Sequence, residues 1–129
     1  MKYLLDTHTI VWAGEHPERL SPPARKALEN PQAKILVSAA SAWEIATKVR
    51  KGKWPEAVRL EADFVKFMTI AGFDILPISA EDALRAARFA SSHKDPFDRQ
   101  LVAQCSVEAL TLVTRDKSLK QYAIPIIAA

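Results

Sequence analysis

Cysteine is all but missing from this 129-residue chain, where Cys105 stands alone. One thiol excludes an intrachain disulfide, and a chain that does without disulfides suits a reducing cytosol. Cys105 lies in Leu101-Val102-Ala103-Gln104-Cys105, the pattern of a buried helix face, so it reads as a small core side chain rather than a nucleophile. Glycine is scarce as well. Three glycines cannot build the Gly-rich loop that cradles nucleotide phosphates, and there is no Gly-x-Ser-x-Gly elbow or Cys/His pairing. The three histidines, His8, His16 and His93, lack the paired spacing of a zinc site. His8 follows Asp6 by two residues and His93 precedes Asp95 by two, so both are placed to edge a pocket built on those acids. No apolar stretch approaches the length of a membrane span, and the opening apolar run is too short for a signal peptide. The expected location is the cytoplasm, with no membrane partner.

What is present is a globular composition. Apolar residues make up 49% and charged residues 26%, enough to bury a core and too apolar for disorder. The length suits one domain over residues 1–129. The net charge of +3 is compatible with a polyanionic partner without requiring one. Short apolar runs alternate with helical periodicity. Strands are expected at about 2–6, 34–38, 73–78, 111–114 and 124–127, the last edge-like because it carries Pro125. Helices are expected at about 7–14, 22–30, 41–51, 80–92, 95–109 and 117–122. A further apolar face is formed by Leu60, Phe64, Phe67, Met68 and Ala71. This alternation predicts an α/β fold with a mostly parallel sheet, and a helical hairpin over 41–72 inserted between the second and third strands.

Four acids stand where apolar runs give way to helices: Asp6, Glu44, Asp98 and Asp116. In a parallel sheet the carboxyl ends of the strands share one edge, which is where open α/β sheets place their sites. Each acid also has a plain explanation as a helix cap, and Ser41-Ala42-Trp43-Glu44 matches a capping box. Yet the chain has Ser at positions 21, 41 and 79 for capping, whereas the predicted carboxyl edge carries acids. Two carboxylates at about 4 Å repel by about 4 kcal/mol at an effective dielectric of 20. A cluster of them is therefore a site for a hard divalent cation such as Mg²⁺. Lys94, Arg99, Arg115 and Lys117 lie beside three of the acids, where substrate phosphates would sit, and Lys48 closes a basic helix end.

These residues fall into four motifs. They are Leu4-Leu5-Asp6-Thr7-His8 with Trp12; Ser38-Ala39-Ala40-Ser41-Ala42-Trp43-Glu44-Ile45 with Lys48; His93-Lys94-Asp95-Pro96-Phe97-Asp98-Arg99-Gln100; and Leu112-Val113-Thr114-Arg115-Asp116. In this order they resemble the PIN-domain nucleases and, within them, the VapC-like toxins of type II toxin–antitoxin pairs. The third motif, with Asp-Pro-Phe-Asp-Arg, is the most specific.

The resemblance implies a three-layer α/β/α fold with a roughly five-stranded sheet, and a Mg²⁺- or Mn²⁺-dependent ribonuclease. Asp6, Glu44, Asp98 and Asp116 become the catalytic quartet, with Asp6 the central metal ligand and Asp98 and Asp116 completing the site. Thr114 and Asp95 become supporting residues, with the Asp95 and Asp98 pair open to an exchange of roles; by position, His8 and His93 are further supporting candidates, and Lys48, Lys94, Arg99 and Arg115 candidate contacts to RNA phosphates. It also implies a homodimer and an antitoxin partner. The antitoxin would pack on the 41–72 hairpin, where Phe64, Phe67 and Met68 exceed what a crossover needs; the same three residues read equally well as ordinary core. Rival readings are a phospho-acceptor receiver and a non-catalytic RNA-binding module of the same fold. A receiver is expected to carry an adjacent acid pair after its first strand and a Lys on a late strand. Here Asp6 stands alone, and 124–127 contains no Lys.

Overall fold

Successive side chains of a strand point to opposite faces of its sheet. In the computed structural model, which describes residues 1–129, Tyr3 and Leu5 accordingly enter one apolar core and Leu4 another. The sheet between the cores has five strands, β1 (Lys2–Leu5), β2 (Lys34–Ser38), β3 (Asp74–Leu76), β4 (Thr111–Thr114) and β5 (Ile126–Ala128), in the order β3-β2-β1-β4-β5. Every pairing is parallel. β1, β2 and β4 are nearly continuous apolar runs because both their faces are covered, which is the mark of a parallel α/β sheet.

Seven helices flank it: α1 (Thr7–Glu15), α2 (Pro22–Glu29), α3 (Ala39–Arg50), α4 (Val58–Ala62), α5 (Phe64–Ala71), α6 (Ala80–Arg88) and α7 (Pro96–Glu108). The larger core joins β1 and β2 to Ile10, Val11 and Trp12 of α1 and to Leu60, Phe64 and Met68 of the crossover. The smaller one packs Leu4, Leu36 and Leu112 against Leu101, Val102 and Cys105 of α7. The layering is therefore α/β/α. Burial pushes the Cys105 thiol up to about 12, so it stays protonated and packs as an apolar group. No helix is long and apolar enough to cross a membrane.

Several local expectations are revised. The cap of α3 is Ser38, whose Oγ accepts from the Ala40 N–H; Ser41 and Glu44 form no capping box, because the helix already begins at Ala39. That earlier start turns Ser41 and Glu44 inward, both buried. The predicted face from Leu60 to Ala71 belongs to two short helices broken at Asp63, which has non-helical backbone angles. Leu60, Phe64 and Met68 are buried and Phe67 packs against the same core, so of the two readings of these residues the core one applies, not the docking surface. α6 stops at Arg88 rather than near residue 92, and β3 and β5 are each three residues long.

α7 ends on Ala109 in the left-handed region, with φ of 55°. A Cβ there costs about 1 kcal/mol, while glycine is free to adopt the angle. Ala109→Gly is expected to raise stability by about 0.5–1 kcal/mol, read as a higher midpoint in urea with an unchanged slope.

Candidate active site

The chain leaves β1 for β2 and β3 on one side, and β4 and β5 lie on the other. The sheet order thus reverses between β1 and β4, and at that switch point the two carboxyl ends lie side by side. Asp6 follows β1 and Asp116 follows β4 by two residues. A receiver of the flavodoxin-like kind has the order 2-1-3-4-5, which this sheet does not share.

Asp6 caps α1. Its Oδ1 accepts from the Thr9 N–H at 2.8 Å and from Thr9 Oγ1 at 2.6 Å, and its Oδ2 accepts from Thr114 Oγ1. Thr114 Oγ1 in turn accepts from the Asp116 N–H at 3.0 Å, so one buried hydroxyl ties the two strand ends together. Asp116 caps the 3-10 turn Lys117–Gln121, accepting from the Ser118 N–H at 2.9 Å and Ser118 Oγ at 2.6 Å. Asp95 caps α7 through the Phe97 and Asp98 N–H groups. Asp98, in the first turn, is then free to face the cleft, where the His93 Nε2 lies 3.0 Å from its Oδ2. A carboxylate only accepts, so the imidazole donates there. His93 Nδ1 reaches Ser118 Oγ at 3.3 Å, which completes a chain from Asp98 through His93 and Ser118 to Asp116.

Glu44, on α3, is 4% exposed and each of its oxygens is engaged. Oε1 accepts from Thr7 Oγ1 at 2.6 Å, and Oε2 pairs with Lys48 one helical turn on. The cleft holding these groups encloses about 470 Å³ and is lined by Asp6, Glu44, Asp95, Asp98 and Asp116, together with His8, Lys48 and Arg115. All four quartet positions thus open onto one cavity. Ligand atoms of His93, Asp98 and Asp116 lie within 4.8 Å of one another. Asp6, expected at the centre, sits deeper than this group, and its three hydrogen bonds leave it one lone-pair direction of about four.

The electrostatics are those of a crowded anionic site. Burial raises the Asp6 carboxyl above its ordinary range, against the hydrogen bonds from Thr114 and Thr9 that favour its charge. Burial also raises Asp98 to about 6; the His93 hydrogen bond opposes this, while the charges of Asp95 and Glu44 add to it. Asp116 is lowered, chiefly by its bond from the Ser118 hydroxyl. Five carboxylates face two firm cations, Lys48 and Arg115, and Lys48 is committed to Glu44. A donor set dominated by carboxylate oxygens, with uncompensated negative charge, fits a hard divalent cation.

The expected phosphate contacts divide. Arg115 lines the cleft with its guanidinium 4.7 Å from the Trp12 ring, and Lys48 lies over Trp54 at 5.4 Å. His8 stands between the same two indoles, 4.8 Å from Trp54 and 6.0 Å from Trp12. Lys94 is exposed and does not line the cleft. Arg99 is a correction: its guanidinium donates to the carbonyls of Ala86, Phe89 and His93 and to Ser91 Oγ, so it holds the segment after α6 and does not face the cleft. The early end of α6 leaves those carbonyls without helical partners, and Arg99 supplies them. Arg99→Ala is expected to cost about 3 kcal/mol and to loosen His93, read as a lower melting temperature and faster amide exchange over 86–93.

Three contributors escaped the sequence reading, the first being Thr9, which donates twice to Asp6. Ser118 joins His93 to Asp116, and its only signal is the Asp-x-Ser spacing of an Asx turn. Thr7 orients Glu44 across a separation of 37 residues, which no local pattern discloses.

Comparison with known proteins agrees with this architecture. The PIN domain family model matches residues 3–125. Ribonuclease VapC22 of Mycobacterium tuberculosis is 26% identical over 125 residues, covering 95% of this chain and 92% of that protein. Among solved structures, VapBC2 from Rickettsia felis, bound to a DNA fragment from its promoter, is similar at a TM-score of 0.73 and 20% identity, over 98% of both chains. DNA-bound VapBC from Salmonella typhimurium is similar at 0.72 and 18% identity, over 98% of this chain and 97% of that one.

Proposed function

The chain belongs to the PIN-domain family, and from that premise we propose that it is a Mg²⁺- or Mn²⁺-dependent endoribonuclease acting as the toxin of a type II toxin–antitoxin pair. The observation that carries this reading is the meeting of Asp6, Glu44, Asp98 and Asp116 in one cleft at the switch point of the sheet. The likeness to a protein named as a ribonuclease supports the activity.

Asp98 and Asp116, with Asp6 beneath them, would hold the cation, and His93 and Ser118 fix the first two in place. A bound divalent ion supplies charge stabilisation at the phosphate and lowers the pKa of an attacking water. Thr114 and Thr9 keep Asp6 oriented, so the inner wall of the site is set before substrate arrives. Glu44, locked by Thr7 and Lys48, faces the cleft as the acid that orients the water. Arg115, held over Trp12, meets the phosphate that bridges the cleft mouth.

An antitoxin and a second copy of the chain complete the assembly. Both would work in the cytoplasm, and neither involves a membrane. Trp43, 66% exposed and packed edge-on against Phe97 at 5.1 Å, lies with Ile78 in an apolar depression between α3, α6 and α7 that a partner would cover. Size-exclusion chromatography over a range of concentrations tests the homodimer, and a monomer throughout contradicts it.

The activity is tested by RNA cleavage in Mg²⁺, in EDTA, and by Asp6→Asn in Mg²⁺. Cleavage is expected in the first alone. Equal cleavage in all three rejects the proposal.

A further inference from the structure

We propose that a second groove, leading out of the acidic cleft past Arg115, is the docking track for the backbone of a single-stranded RNA, with Lys117 and Lys120 as its phosphate contacts. The inference rests on the nuclease reading of the cleft and adds to it a path for the strand. The groove has a volume of about 400 Å³ and shares Arg115 and Asp116 with the cleft. Beyond that junction its charged lining is Lys117 and Lys120, on a floor that includes Ile126. Among side chains, three cations therefore face one carboxylate there, the reverse of the balance in the cleft.

The availability of these charges distinguishes them from the other basic residues near the acids. Lys48 is paired with Glu44, and Arg99 is consumed by backbone carbonyls. Lys117 and Lys120 are exposed, and neither is paired with a carboxylate. Arg115 is exposed but fixed by its stacking on Trp12, so it can serve both grooves from one position.

Spacing supports a strand. Lys117 and Lys120 are three residues apart in a 3-10 turn, where side chains at i and i+3 eclipse and the rise is about 2.0 Å per residue. Their stems therefore project from one side about 6 Å apart along the axis, close to the separation of consecutive phosphates in an extended strand. A splayed single strand can carry one phosphate down to the recessed acids while its neighbours stay on this track. A regular duplex cannot lower one backbone so far without distortion.

The test is fluorescence anisotropy of the full chain in EDTA, where the strand is not cut, with a labelled single-stranded RNA of about a dozen nucleotides, measured over a series of KCl concentrations. Lys117→Gln/Lys120→Gln is expected to weaken binding about tenfold and to reduce the slope of log Kd against log salt by about 1.4, or about 0.7 for each lost phosphate contact. Lys26→Gln/Lys66→Gln removes the same charge from exposed positions outside both grooves and should change Kd less than about twofold. An equal loss in the two double variants, or an unchanged slope in the first, overturns the track. So does binding of polyglutamate through the same lysines without binding of RNA, which assigns the groove to an acidic protein segment. If wild type binds RNA through the lysines but cleaves none in any metal, the nuclease reading fails and the track stands. Cleavage with an unaltered salt slope has the opposite meaning.

Discussion

Asp98→Asn is expected to stabilise the metal-free protein while removing nearly all its activity. Asp98 is largely buried beside Asp95 and Glu44, and its carboxyl is raised to about 6. Above that pH the folded protein carries a charge that the fold disfavours. The difference from the ordinary value of 3.8 corresponds to about 3 kcal/mol. Asparagine has the same shape, keeps an oxygen to accept the His93 hydrogen bond, and carries no charge. At pH 7.5 in EDTA it should recover about 2 kcal/mol, or roughly 6 °C in melting temperature for a chain of this size. In Mg²⁺ the same change removes an anionic donor from the site, and cleavage should fall about a thousandfold, equivalent to about 4 kcal/mol of the barrier. Thermal melts and initial rates on the same preparations read both effects. A variant that is less stable without metal, or one that keeps its activity, refutes the role given to Asp98.

The expected opposition between stability and activity accounts for why the candidate site was legible in the sequence. A chain selected for stability alone has Ser, Thr and Asn available for its helix starts. Here Asp6, Asp95 and Asp116 cap elements whose starts line the cleft, whereas Ser21, Ser38 and Ser79 cap helices whose starts do not. Asp6, Asp98 and Asp116 were visible because they are local choices where a helical element begins. The strands were visible for a similar reason: Leu4-Leu5, Ile35-Leu36-Val37 and Leu112-Val113 are runs buried on both faces. The strand order was not legible, since no short-range pattern records which parallel neighbour a strand takes. Nor was the direction of Arg99. It depends on α6 stopping at Arg88, and the Ala-rich run from Ala80 to Ala90 gives no local stop signal. Glu44 shows the limit most clearly. Its spacing from Ser41 fits a capping box, and only the start of α3 at Ala39 turns it into a buried partner of Thr7 and Lys48.

The stability of the metal-free protein should fall as pH rises from about 4 to about 6, and a divalent cation should abolish that fall. A carboxyl whose folded pKa exceeds its unfolded value binds more protons in the folded state, so its contribution is complete below the unfolded value and is lost as pH climbs through the folded one. For Asp98 the window runs from 3.8 to about 6. Each pH unit inside it costs the fold about 1.4 kcal/mol. Asp6, also raised by burial, acts in the same direction. Asp116 acts oppositely: its lowered pKa gives stability above 3.8 that is lost as pH falls through its folded value. Because Asp116 is exposed, that contribution is small. The other carboxylates of the chain also titrate in acid, so the informative quantity is the stability of Asp98→Asn minus that of wild type in EDTA. This difference should be flat below pH 4, rise between about 4 and 6, and level off above. Adding Mg²⁺ at about a hundred times its Kd contributes about 2.7 kcal/mol to any protein that binds it. Wild type should therefore gain about 8 °C at pH 7.5 and little at pH 4, where Asp98 is almost wholly protonated, and Asp98→Asn should gain little at either. Urea melts across the pH series with and without EDTA measure all of this. A difference curve that is flat through pH 4 to 6 would mean that Asp98 is solvated like a surface acid, and the crowded anionic cleft would lose its physical basis.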